Sequence, residues 1–237
     1  MPFFYYFDPT VIILIPGIII ALWASINVNT TFDKYNRVPS RNGLTGAQVA
    51  ERVLNHHGIY NVRIERVSGN LSDHYDPRAN VIRLSDSTYN STSIAAAGVA
   101  AHEAGHAVQH AKGYLPIKIR TAIVPITNIG SKLAMPLILI GLLLSYSAAE
   151  YIGIAYAGVV CFSLCALFQL VTLPTEYNAS ARAMKALESN GRLTGEELKG
   201  SRRVLSAAAL TYVAALAVSL MQLFRLLLLV RGSDRRR

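Results

Sequence analysis

"KLAMPLILIGLLLSYSAAEYIGIAYAGVVCFSLCALFQLVTLPTE", residues 132 to 176, holds two apolar runs back to back, with Glu150 as the one charge between Lys132 and Glu176. Residues 132–148 and 151–173 read as two transmembrane helices, the second long enough to cross a hydrocarbon core of about 30 Å. Only a few residues separate them, which predicts a tight antiparallel hairpin with a very short turn on the far side. The chain then returns to the membrane face it left. The segment before the first run and the segment after the second meet on one side, and the charge that emerges first is Glu176.

Composition supports a membrane setting. Of the 237 residues, 52% are hydrophobic and 16% charged, against about 25% charged in ordinary soluble domains. The mean hydropathy is +0.33. A net charge of +9 in a soluble protein would suggest nucleic acid. Here an excess of Lys and Arg in cytoplasmic segments accounts for it, and no basic patch interleaved with aromatics points to a nucleic-acid partner. No Gly-rich phosphate loop is present, so no nucleotide is expected. Cys161 and Cys165 share one apolar stretch and indicate neither a disulfide framework nor a cysteine zinc site.

Two further segments are apolar and long. Residues 10–26 lack a charged n-region before them and read as a retained transmembrane helix rather than a signal peptide. Residues 204–230 read as a fourth transmembrane helix, although an Ala-rich first half leaves open that part of it packs on the soluble portion. Residues 117–131 either lie at the interface or lengthen the next helix.

Basic residues set the orientation. Lys34, Arg37, Arg41, Lys112, Lys118 and Arg120 flank the segment 27–120. Arg182, Lys185, Arg192, Lys199, Arg202 and Arg203 populate the stretch after the hairpin. The turn near Glu150 has none. The positive-inside rule places both large segments in the cytoplasm of a multi-pass cell-membrane protein. The tail "RGSDRRR" opposes this if residues 204–230 cross.

Residues 27–120 read as a small α+β unit, so the predicted fold class is a mainly α, multi-pass membrane protein with a small α+β domain. In "LTGAQVAERVLNHHGI", Thr45 and Gln48 have capping-box spacing, and Gly58 is a C-terminal stop. "NVRIERVSG" alternates like a strand. A turn at Asp76-Pro77 leads into a short strand, Val81 to Leu84. A helix over 93–112 comes next and stops at Gly113. Residues 174–203 form a cytoplasmic helical segment.

The helix over 93–112 contains His102-Glu103-Ala104-Gly105-His106. Residues four apart share a helix face, so His102 and His106 offer two imidazoles to one point, the arrangement of the H-E-x-x-H metal sites. A catalytic zinc takes three protein ligands and leaves one place for water. Glu103, beside the first ligand, is placed to act as general base on that water. Ala100, Ala101, Ala104, Gly105, Ala107 and Val108 are small and uncharged, which suggests room for substrate.

Two histidines leave the site one ligand short. His110 lies about 12 Å along the helix from His102, too far to share an ion, and the position where a turn could bring it back holds Gln109 rather than Gly. It reads as a polar surface residue. Glu176 is the candidate, because the hairpin returns it to the face that carries His102 and His106.

"HEAGH", a transmembrane hairpin and then "PTEYNAS" resemble the bacterial neutral membrane zinc metallopeptidases, distant relatives of the HtpX-type membrane proteases. The stretch "SDHYDPRANVIRLSDSTYNSTSIAAAGVAAHEAGHAVQH", residues 72–110, resembles the same family, and the similarity covers nearly the whole chain. The resemblance implies a gluzincin-like, membrane-embedded zinc endopeptidase acting on protein or peptide substrates at the cytoplasmic membrane surface. It implies one Zn2+ per chain on His102, His106 and Glu176, with Glu103 as catalytic base. The HtpX-type pattern E-[FY]-x-A-D ends in an Asp that can orient a ligand His. Here that position is Ser180, so Ser180 or Asn178 would have to orient the ring. The resemblance also makes Asn80, Val81, Ile82, Arg83 and Leu84 the edge strand that takes the substrate backbone. His74 or Tyr212 is a candidate to stabilise the oxyanion.

Other classes fit less well. A site-2-type intramembrane protease carries its motif within a span and takes a later Asp as ligand. Here the motif comes after a polar loop, and no Asp occurs between Asp86 and Asp234. An ATP-driven membrane protease needs the missing phosphate loop. A scaffold or chaperone with structural zinc would close the fourth coordination place with a protein ligand, and the sequence offers no evident candidate.

Overall fold

A computed structural model describes residues 8–189, 193 and 195–235 of the chain. Seven α-helices and three strands succeed one another. They are α1 (Ile15–Asn36), α2 (Gly46–His56), β1 (Arg63–Val67), β2 (His74–Asp76), β3 (Val81–Ser85), α3 (Asp86–Tyr89), α4 (Ile94–Ala111), α5 (Leu115–Leu144), α6 (Ile152–Ser189) and α7 (Glu196–Asp234). Arg192 and the tail arginines Arg236 and Arg237, which entered the orientation reading, lie outside the described residues.

Two compact units share this chain. One comprises Met1–Trp23, Ile119–Thr172 and Tyr212–Arg237, the other Ala24–Lys118 and Leu173–Thr211. The divisions fall inside α1, α5, α6 and α7.

The first unit is apolar helix. Among the described residues, four helical stretches are long and apolar enough to cross a membrane: Pro9–Asn36, Leu115–Leu144, Ala149–Ser189 and Glu196–Asp234. In their most apolar windows only 11–22% of residues are buried within the protein. So much exposed hydrocarbon requires a bilayer around it. The hairpin closes through residues 145–148 and a short 3-10 turn, Ala149–Tyr151. Its two helices approach through small residues: a Cβ on Gly141 would lie 2.2 Å from the Ala155 nitrogen, and one on Gly158 would lie 2.7 Å from the Ala134 carbonyl oxygen. Lipid tails give no hydrophobic push between helices, so close van der Waals packing of this kind holds them together.

Helix boundaries differ from the predicted spans: α1 runs on to Asn36 and α7 begins at Glu196. Residues 117–131 belong to α5, the lengthened-helix alternative of the two expected, and that helix ends at Leu144. Residues 152–189 form one helix, α6, which Pro174 does not interrupt. A proline inside such a helix forfeits one backbone bond, a loss that long, packed helices absorb.

The second unit contains the α+β part. Thr45 and Gln48 form the predicted capping box at the start of α2, and Gly58 and Gly113 end α2 and α4 with φ of +70° and +64°. Helix α4 is capped by Ser93, whose hydroxyl accepts from the Ala96 amide at 3.0 Å and donates to Asn36 Oδ1 at 2.8 Å. The sheet order is β1-β3-β2, with β1 parallel and β2 antiparallel to β3. This corrects the reading of Asn80, Val81, Ile82, Arg83 and Leu84 as an edge strand. Val81–Ser85 is central and paired on both sides, and Val81, Ile82 and Leu84 are fully buried. The free edges belong to β1 and β2. Core residues from α2, β3, α4 and the second half of α6 pack together, among them Val53, Ile82, Ala101, Val108, Ala183 and Leu187.

Candidate metal centre

Helix α4 presents His102 and His106 on one face, and α6 brings Glu176 to the same point. His102 Nε2 lies 3.2 Å from Glu176 Oε2, His106 Nε2 lies 3.4 Å from the same oxygen, and the two Nε2 atoms are 3.1 Å apart. The rings stand edge to face, with centroids 4.7 Å apart. A tetrahedral zinc with bonds of about 2.0–2.1 Å spaces its ligand atoms by roughly 3.3 Å. The three observed separations bracket that value, so donor set and spacing fit one zinc ion.

The hydrogen bonds behind His106 direct its lone pair inward. Gln109, fully buried, donates from Nε2 to the Thr175 carbonyl at 2.8 Å and to Asn178 Oδ1 at 2.9 Å. A carbonyl only accepts, so the amide orientation is set and Gln109 Oε1 faces His106 Nδ1 at 3.0 Å. That Nδ1 therefore carries the proton, and in the neutral ring Nε2 is bare. Arg182 Nε donates to Asn178 Oδ1 at 2.7 Å and completes the chain of bonds. His102 Nδ1 meets the Ser180 hydroxyl at 3.1 Å. A hydroxyl can take either role, so this contact orients the ring without choosing its tautomer.

Glu176 is 2% exposed. A buried carboxylate without nearby positive charge is costly. Here it faces two imidazole nitrogens, one of them bare, an arrangement that a cation among them would relieve. Glu103 is also buried, at 8% exposure. Among the described residues nothing donates a hydrogen bond or a positive charge to its carboxylate.

The small residues around the motif have a different use from the expected one. Ala100, Ala101, Ala104, Ala107 and Val108 are at most 1% exposed, packed in the core rather than lining room for substrate. Gly105 lies where α4 meets α6: a Cβ there would be 2.7 Å from the Ala179 carbonyl oxygen. Ala179, three residues after Glu176, is itself fully buried. The close approach of the two helices is what lets a carboxylate on one reach imidazoles on the other.

The structure brings together His102, His106, Glu176 and Ser180, and ties Asn178 to His106 through Gln109. Sequence reading missed Gln109, treating it only as the position where a turn-forming Gly was absent. His110 is exposed and meets Tyr75 edge-on at 6.0 Å. His74 is exposed at the start of β2, its Nδ1 2.8 Å from the Ser72 carbonyl oxygen. Tyr212 falls in the other compact unit.

Comparison with known proteins agrees with this chemistry. The family described as "Putative neutral zinc metallopeptidase" matches residues 10–231. The "Putative membrane protease YugP" of Bacillus subtilis (strain 168) is 44% identical over 216 residues, covering 91% of this chain and 94% of that protein. No solved structure matches.

Proposed function

The chain belongs to the family described as "Putative neutral zinc metallopeptidase", and from that premise we propose that it is a membrane-embedded zinc endopeptidase that hydrolyses peptide bonds at the cytoplasmic membrane surface. The observation that carries this reading is the convergence of three candidate ligand atoms at 3.1–3.4 Å, with Glu103 next in sequence to one of them. His102, His106 and Glu176 would hold one zinc ion per chain. When bound, zinc would polarise the scissile carbonyl and activate water as the nucleophile. Glu103 would serve as the general base and carry the proton to the leaving amine. A carboxylate tied up in an ion pair could not do both, and Glu103 is not tied up.

The sheet suggests where substrate binds. An extended peptide pairs with a free strand edge, and β3 has none. We assign this role to β2, which packs on α4, as the Tyr75–His110 ring contact shows. His74 opens that strand. The cytoplasmic placement rests on the basic residues that flank the segments on either side of the hairpin. The site-2-type alternative is disfavoured because α4 is not among the four helices apolar enough to span.

The test is metal content and peptidase activity of purified protein, with Glu103→Gln and Glu176→Ala variants. Glu103→Gln keeps zinc and loses cleavage. Glu176→Ala loses zinc. Cleavage that survives Glu103→Gln would refute the base, and full zinc retention in Glu176→Ala would refute the third ligand.

A further inference from the structure

A groove of about 590 Å³ lies between α1 and α7 in the second unit, lined at one end by Lys34, Lys199, Arg202 and Arg203 and at the other by Asn27 and Leu210. No carboxylate lines it. Arg203 donates to the Tyr35 hydroxyl at 2.9 Å, and the Lys34 ammonium stands 5.5 Å from the Tyr35 ring. Lys199 pairs with Glu196 at 2.7 Å, with both side chains well exposed, where such a pair is weak. Among the described residues Lys34 and Arg202 have no acidic partner. Four like charges around one groove repel one another unless an anion sits among them.

Position along the helices identifies the anion. Asn27 directly follows the apolar run that ends at Ile26, and Lys34 lies seven residues further, about 10 Å along α1. On α7 the step from Leu210 to Arg203 is the same length. The polar layer of a bilayer is roughly 5–8 Å thick on each side. The groove therefore passes from hydrocarbon to cations over about the depth of a phospholipid headgroup. We propose that it binds an anionic phospholipid, with the phosphodiester between Lys34 and Arg202 and an acyl chain toward Leu210. The shared chemistry is a phosphate anion. The lipid is favoured over free phosphate because the site has an apolar end.

The chain's one tryptophan, Trp23, lies one turn before Asn27 on α1 and is exposed, so quenching by bromine on acyl chains reads lipid at this place. The full-length protein is reconstituted in phosphatidylcholine vesicles with brominated phosphatidylglycerol or brominated phosphatidylcholine as the minor component. Phosphatidylglycerol should quench at lower mole fraction. A Lys34→Gln/Arg202→Gln pair should reduce that preference about 25-fold, near fivefold per charge removed. An Arg63→Gln/Arg78→Gln pair, which removes the same charge from the sheet surface, should leave it intact. Both residues of the test pair are exposed, and far-ultraviolet circular dichroism checks that each protein is folded. If the lysine–arginine pair unfolds, Ser206→Trp, which fills the groove without changing its charge, is read by tracking lipid retention in native mass spectrometry. Equal quenching by the two lipids would overturn the proposal. So would a preference that survives Lys34→Gln/Arg202→Gln, or displacement of phosphatidylglycerol by millimolar inorganic phosphate, which would mark a soluble-anion site instead.

Discussion

Gly105→Ala separates local helix preference from the packing that builds the site. By propensity alone the change should stabilise α4 by about 1 kcal/mol. In the fold, the new Cβ would lie 2.7, 3.3 and 3.4 Å from O, C and Cα of Ala179. These are backbone atoms of α6, which cannot rotate away as a side chain would. Ordinary contact begins near 3.4 Å, so the two helices must separate by about 0.7 Å at that point. Overpacking of this kind costs about 1–3 kcal/mol, which leaves a net loss of up to roughly 2 kcal/mol. The effect on metal should be larger, because ligand distances in a working site hold to about 0.2 Å and Glu176 lies three residues from the clash. Zinc affinity should fall at least about tenfold. Chelator competition measures the affinity, and thermal unfolding of metal-free protein measures the stability. Gly153→Ala is the control: a Cβ there meets nothing within 4 Å, so neither quantity should fall. Wild-type zinc affinity together with raised stability in Gly105→Ala would refute the packing account.

Gln109→Ala should lower zinc affinity about 10–100-fold, measured by the same competition, because it strips His106 Nδ1 of its acceptor and the Thr175 carbonyl of its donor. Ser180→Asp should raise affinity, since a carboxylate both orients His102 and makes it a better ligand; unchanged affinity would show that the Ser180 contact is incidental. Gly141→Ala should lower the unfolding temperature in detergent by several degrees, because a Cβ there would meet the Ala155 backbone at 2.2 Å. The Arg83 hydrogen bond holds the Asp76 carboxyl below its ordinary value, so this contact contributes stability above about pH 4 that is lost as pH falls through the lowered value. Arg83→Gln should accordingly be less stable than wild type at pH 6, with the gap closing toward pH 2 in acid titrations followed by circular dichroism.

The long-range part of the site was legible because it rests on topology. A hairpin of two apolar runs can return Glu176 only to the face it started from, whatever the packing. The histidine pair was legible because it depends only on helix period. Gln109 was not, because its role comes from a carbonyl 66 residues away on a helix that sequence places beside α4 only coarsely. The small residues of α4 were misread for a related reason. Alanine is compatible with an open cleft and with a tight helix contact, and only the buried surface distinguishes them. Strand order was illegible because β3 comes after β2 in sequence yet pairs on both sides, and nothing in the pattern of five residues reveals whether a second neighbour exists.

The two histidines are held unequally, and the inequality has a chemical consequence. His106 has its tautomer imposed by a chain that ends on a backbone carbonyl, so its Nε2 lone pair is available before metal arrives. His102 leans on a hydroxyl that can reverse its role, so its Nε2 can instead carry a proton and donate to Glu176, 3.2 Å away. In the metal-free protein that alternative satisfies the buried carboxylate without any cation. On the proposed metal site, zinc binding would then shift one proton on His102, whereas His106 and Glu176 are already poised. Half of the site is thus preorganised and half is switchable, and the switchable half is the one where this chain has serine in place of the aspartate of the HtpX-type pattern. On the proposed function, the cost of the serine would fall on holding metal rather than on cleavage, since no hydrogen bond among the described residues ties Glu103 into this chain of bonds.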